Sequence, residues 1–282
     1  MPIAKKQGAT GAKPKSALKS AWDFDAGLKI NVYGRSGTGK TRLWSTFPDP
    51  ILAGICSASV HSGELRSIQT PENRHRIDAR IIQTADDARV FLDEAKAGSW
   101  KTVVLDHVTG LQDFLLKEVL GVDELPAQMG WGVASQEQWG KAILRSKEIL
   151  RHFLNLPCNV VLIGQERNFG EGASTEEGGE QIVPYVATDC SPSLARWIGP
   201  ACDYVVRTFV RPMTKETVST IGGKEIRTRK PVKGQFEFCL GTGPDAVYLT
   251  KFRVPTGRVL PDDIVDPSYD RIMEVVEGRY KE

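Results

Sequence analysis

A chain of 282 residues, 40% hydrophobic and 26% charged, has the make-up of an ordinary soluble globular protein and is long enough for one large α/β domain or two small ones. Its 37 Lys and Arg against 35 Asp and Glu leave a formal charge of +2, too little to draw nucleic acid by itself, so any such surface has to come from uneven placement. Five cysteines (Cys56, Cys158, Cys190, Cys202, Cys239) without a C-x-x-C pair, and only four histidines, argue against a zinc or disulfide framework, and the absence of a membrane-length apolar run or signal-peptide core points to the cytoplasm.

Residues 1–24 place Lys5, Lys6, Lys13, Lys15 and Lys19 among Gly, Ala, Pro and Ser, the composition of a flexible basic tail. A solubilising role is the simpler reading, a nucleic-acid-binding arm the alternative. An alternating stretch over 28–33 then predicts a strand that ends at Gly34-Arg35-Ser36-Gly37-Thr38-Gly39-Lys40-Thr41. This run matches G-x-x-x-x-G-K-[ST], the phosphate-binding P-loop. Glycines let several backbone N–H groups converge on one anion. Lys40 is the residue that reaches the β- and γ-phosphates, and Thr41 offers its hydroxyl to Mg²⁺. A short helix over 41–47, stopped by Pro48 and Pro50, completes the strand–loop–helix context that the motif requires.

Further on, strands are expected at 51–56, 81–83, 101–105 and 159–164, and helices at 85–97, 111–120 and 136–154. This alternation predicts an α/β fold with a mostly parallel central sheet flanked by helices. From about residue 204 to 258 the pattern turns β-rich, with strands at 204–210, 216–220, 225–229, 235–240 and 246–252 and a hairpin turn at Gly222-Gly223. Asp266 as N-cap and Pro267 at the first helical position predict a last helix running to about 279.

The predicted strand ending in Val103-Val104-Leu105-Asp106 places a carboxylate where it can hold the Mg²⁺ shell beside a P-loop, the competing reading being a solvent-facing strand-end Asp. Hydrolysis also needs a group to orient the attacking water. Glu64 is the first candidate, with an exposed helix-start Glu as the alternative. Gln165, directly after the apolar strand, is a candidate γ-phosphate sensor. With Glu166 it otherwise makes a polar loop entry.

The order of these elements resembles the RecA-like core ATPases, and more closely the small phage-encoded AAA-like P-loop ATPases that include the Sak-type single-strand annealing proteins. The residues that carry it are Gly34 to Thr41, Val103-Val104-Leu105-Asp106, Gln138-Trp139-Gly140-Lys141, Val160-Val161-Leu162-Ile163-Gly164-Gln165-Glu166, Ile182-Val183-Pro184, Lys251-Phe252-Arg253 and Leu260-Pro261-Asp262, spread over roughly 28–280. The resemblance implies a RecA-like P-loop NTPase domain over 25–282 with a C-terminal β-hairpin extension, ATP and Mg²⁺ as ligands, and a homo-oligomer, ring or filament. It also implies action on single-stranded DNA in phage recombination or replication, beside a single-strand-binding protein, in the host cytoplasm. Lys251-x-Arg253 is similar to the paired basic residues that such ATPases extend to a neighbour's γ-phosphate, an arginine finger in physical terms. As plain chemistry it is also two surface charges on one strand face.

Two departures stand out. Cys56-Ser57-Ala58-Ser59 lacks the acid expected there, and the loop after Gln165 is acidic, with Glu171, Glu176, Glu177 and Glu180 against Arg167. Such a loop repels phosphate. The best DNA surface is the hairpin, where Arg207, Arg211, Lys215, Lys224, Arg227, Arg229, Lys230 and Lys233 are opposed by Glu216 and Glu225. Lysines protecting an edge strand are the alternative, and Phe209, Phe236 and Phe238 alternate like core residues. Trp131 and Gln136 are a weaker DNA candidate. An ATP-dependent loader or assembly protein acting on a protein partner, and a small-molecule kinase, are the competing functions.

Overall fold

The structure is a computed structural model, and it describes residues 27–57, 63–125, 134–170, 184–221, 224–258 and 260–281. The basic tail, Trp131, the acidic loop and the Gly222-Gly223 turn lie outside these residues. Strands β1 (Lys29–Gly34), β2 (Ile51–Cys56), β3 (Ile77–Ile82), β4 (Thr102–Asp106) and β5 (Asn159–Gly164) run parallel. With β8 (Tyr204–Ile221), β9 (Lys224–Gly241) and β10 (Asp263–Val265) they form one sheet in the order β10-β9-β8-β1-β5-β4-β2-β3. β8 joins β1 in parallel, while β9 and β10 add antiparallel strands at that edge. A separate antiparallel pair, β6 (Glu166–Phe169) and β7 (Tyr185–Thr188), leaves from the end of β5. The fold is the expected α/β one, a mostly parallel sheet flanked by helices with a C-terminal hairpin.

Strand periodicity sorts the core into two layers. Tyr33, Leu52, Cys56, Val103, Leu105, Val160 and Leu162 face α2 (Ala85–Ala97), α3 (Val108–Leu120), α4 (Gln136–Leu154) and α5 (Pro192–Ala201). Their neighbours Ile30, Val32, Ile51, Ile55, Val104, Val161 and Ile163 face α1 (Lys40–Trp44) and α6 (Tyr269–Glu277). Because both faces are covered, β1, β2 and β5 are buried along their whole length; β2 and β5 accordingly read as nearly continuous apolar runs, while β1 buries the polar Lys29 and Asn31, whose side chains donate to the carbonyls of Leu156 and Leu162. Reciprocal capping boxes fix two helix starts, Thr84 with Asp87 and Ser135 with Gln138. No helix among the described residues is long and apolar enough to cross a membrane.

Three expectations change. The four hairpin strands are two 18-residue strands, with an irregularity between Pro212 and Thr214. Over 246–252 there is no strand, only the single bridges Val186 to Tyr248 and Val205 to Lys251. The N-cap of α6 is Ser268, whose hydroxyl accepts from the Arg271 N–H, while Asp266 sits at φ 47 with its own N–H donated to the Phe238 carbonyl.

Candidate functional site: the P-loop and its surroundings

The loop between β1 and α1 is shaped by what lies against it. A Cβ on Gly34 would stand 2.3 Å from the Thr208 carbonyl of β8, so no side chain fits there. Gly39 has φ +89, a conformation that only glycine adopts at no cost, and a Cβ on it would meet the Phe238 ring at 3.2 Å. Thr38 is tied to the same hairpin, its hydroxyl 2.7 Å from the Thr208 hydroxyl and donating to the Arg35 carbonyl at 2.7 Å. Arg35, Ser36 and Gly37 are exposed, and Thr41 is half-buried in the first turn of α1.

The Lys40 ammonium donates to the carbonyls of Gly34 (2.8 Å) and Arg35 (2.7 Å) and to Oε1 of Gln165 (3.2 Å). Burial lowers its pKa, while the carboxylates of Asp106 and Glu166 work in the opposite direction. Asp106, two strands over on β4, accepts a hydrogen bond from the Trp44 indole at 3.2 Å. Burial holds its carboxyl above the usual carboxylate range, outweighing the stabilising Trp44, His107 and Lys40, and Glu64 raises it further. Lys40, Asp106 and Gln165 are thus brought together. Glu64 is exposed, in the segment after β2, close enough for its charge to act on Asp106 and Cys56.

This donor set fits Mg-nucleotide. The exposed loop residues Arg35, Ser36 and Gly37 lead into the buried Lys40 ammonium, whose charge is felt by the half-buried Asp106 carboxylate. A dication beside Asp106 would offset the burial that disfavours its charge.

Sequence spacing gave no sign of three long-range ties. Glu166, largely buried, accepts from Arg35 at 2.6 Å and from Arg207 at 3.0 Å, so one carboxylate joins the P-loop to the hairpin base. Thr38–Thr208 and Gly39–Phe238 are the others. The Arg207 guanidinium also lies 3.7 Å above the Tyr248 ring.

Lys251 and Arg253 do not reach the P-loop of their own chain. Asp203 donates its N–H to the Lys29 carbonyl, placing this region at the start of β1, while the P-loop follows its end. The Lys251 ammonium closes the end of α5, donating to the carbonyls of Gly199 (3.2 Å), Pro200 (3.4 Å) and Cys202 (2.6 Å). Arg253 is 60% exposed and pairs with Asp203 at 2.6 Å.

In the hairpin, Arg207 is spent on Glu166, and Arg211 on Glu237 (2.9 Å) and Asp263 (2.7 Å). Lys215, Lys230 and Lys233 are exposed, and the side chains of Lys224, Arg227 and Arg229 lie outside what the structure describes. Phe236, expected to be core, is 60% exposed.

The chain is similar to flagellar accessory protein FlaH from Methanocaldococcus jannaschii, at 10% identity and TM-score 0.39 over 85% of this chain and 84% of that one. A KaiC-like protein from Pyrococcus horikoshii is similar at 10% identity and TM-score 0.36, over 75% of this chain and 84% of that one. Small ribosomal subunit protein uS2c of Oltmannsiellopsis viridis is 28% identical over 139 residues, 49% of this chain; the match spans 56% of that relative's length. A family profile described as AAA domain matches residues 26–233, which shows that the chain belongs to the AAA domain family, and the P-loop described above lies within the matched residues.

Proposed function

We propose that this ATPase acts on single-stranded DNA in phage-type recombination or replication, in annealing or strand pairing, as the Sak-type resemblance implies. The observation that carries the reading is in the β8–β9 ribbon. Lys215 and Lys230 are both exposed and stand directly opposite each other in register. Like charges so placed repel, and a bound phosphate relieves them. The ribbon's base is tied to the P-loop through Thr208, Glu166 and Phe238, so nucleotide state has a physical route to the DNA grip. Bound Mg²⁺ would neutralise charge on the transferred phosphoryl group, with Thr41 and Asp106 as its protein ligands. Lys40 binds the phosphates, Gln165 reads the terminal one, and Glu64 orients water. Replacing Arg227, Arg229 and Lys230 by Glu is expected to weaken oligonucleotide binding and flatten its salt dependence in fluorescence-anisotropy titrations. Unchanged affinity and slope would place DNA elsewhere.

Assembly is part of the proposal: residues 25–282 form one ATPase domain that works as a ring or filament, with a single-strand-binding protein as accessory. Arg253 serves a neighbour's site, and Lys251 holds its own chain's fold. Accordingly Arg253→Ala retains ATP binding and loses hydrolysis, and mixing with Lys40→Ala restores part of it through hybrid interfaces. Lys251→Ala instead lowers the melting temperature, by about 2–4 °C for each kcal/mol lost. Absent restoration in mixed samples removes the action in trans.

One observation favours a loader acting on a protein partner. A cavity of about 900 Å³ between α3, α4 and α5 is lined by Asp113, Trp139, Arg167 and Asp189. Burial raises the pKa of both carboxyls. Arg167 pairs with Asp189 at 3.7 Å, which leaves Asp113 and the Trp139 ring as the features that suit a basic side chain better than a phosphate. DNA-independent turnover would support this second reading.

A further inference from the structure

A nucleotide has a base as well as phosphates, and the direction in which it leaves the P-loop follows from the sheet order. β1 has β5 and β4 on one side, carrying Gln165 and Asp106 at their ends, and β8 and β9 on the other. The terminal phosphate belongs with Lys40, Gln165 and Asp106. The nucleoside end therefore leaves the opposite way, over β8 and β9. Phe238 of β9 stands there. Its ring is 3.2 Å from where a Gly39 Cβ would be, and the Arg42 guanidinium lies 6.0 Å from its centroid. Arg42 in turn pairs with Asp266 at 3.2 Å, and the Asp266 N–H donates to the Phe238 carbonyl at 2.7 Å. Phe236, two residues away and so on the same face, is 60% exposed, and Val210, opposite Phe238 in register, is 37% exposed. Aromatic and apolar surface thus continues outward from the P-loop itself.

We propose that Phe238, extended by Phe236, is the stacking platform for the nucleotide base, and that it favours purines. Stacking scales with ring area, so ATP binds ahead of CTP. The proposal rests on the P-loop reading, and its test separates the two. Calorimetric titration of the full chain uses Mg²⁺ with ATP, CTP and inorganic tripolyphosphate, which has the phosphates and no base. Phe238→Leu keeps apolar volume against Gly39 and removes the ring. It is expected to weaken ATP about tenfold, to narrow the gap between ATP and CTP, and to leave tripolyphosphate unchanged. Phe238→Tyr keeps the preference. Unchanged ATP affinity in Phe238→Leu, or equal loss of ATP and tripolyphosphate, overturns the proposal, because Phe238 then only braces the loop. Photolabelling of the wild type with 8-azido-ATP needs no variant. Label on β9 at 236–238 is expected, and label confined to other segments overturns the platform. Retained binding of both ATP and tripolyphosphate in Lys40→Ala would instead bring down the P-loop reading itself.

Discussion

Lys40→Ala abolishes ATP turnover, with a loss of at least about 10²–10³-fold, and takes ATP binding down with it. The reason lies in the position of the ammonium. It is buried within the loop, held by two loop carbonyls and Gln165, and burial already disfavours its charge. A phosphate chain would replace three neutral acceptors with anionic ones, so the positive charge gains most of its stabilisation in the bound state. Alanine removes that gain and leaves the Gly34 and Arg35 carbonyls facing the nucleotide. Equilibrium binding and steady-state turnover on the same preparation check it, and wild-type values in both would end the assignment of the site.

Asp106→Asn has two effects of opposite sign. Turnover with Mg²⁺ falls by at least about 10²-fold, because the neutral amide cannot share a dication's charge. The nucleotide-free protein, by contrast, becomes more stable. In the folded chain, burial raises the Asp106 pKa above its unfolded value. The stability this group contributes is then fully present below the unfolded pKa and is lost as pH rises through the folded one, so towards neutral pH its burial is a cost. Asparagine removes the cost and keeps an oxygen acceptor for the Trp44 indole. The melting temperature at neutral pH rises by about 2–4 °C for each kcal/mol recovered, and the gain shrinks in acid. Melting curves across pH without nucleotide test this. A variant that melts lower than the wild type at neutral pH would contradict the burial argument.

Local chemistry was legible in the sequence, and long-range pairing was not. The P-loop, the strand into Asp106 and the placement of Gln165 each depend on neighbours within a few residues, so motif and periodicity locate them. Pro212 falls in one gap between the four expected hairpin strands, and Pro231 and Gly234 fall in another. In the fold, the irregularity between Pro212 and Thr214 sits where Pro231 joins the partner strand, and the ribbon continues through it. Ala246 to Phe252 alternates like a strand but lacks a continuous partner. Glu166 read as a polar loop entry because Arg35 and Arg207 lie 131 and 41 residues away in sequence, a separation no spacing rule bridges. Phe236 and Phe238 alternate like core, yet one is exposed because the ribbon outruns the layer that would have covered it.

That overhang has a mechanical consequence. From Thr214 to Ile221, among the described residues, the only strand beside β8 is β9, so this part runs on past β1 as a two-stranded arm. At about 3.3 Å per residue it extends roughly 25 Å beyond the irregularity, and a tilt of about 10° at its root sweeps the far end through about 4 Å. Further back, inside the sheet, the same two strands meet the P-loop through Thr208 and Phe238, and Arg207 reaches it by way of Glu166. Any adjustment of the P-loop that tilted the arm would therefore be largest at its far end.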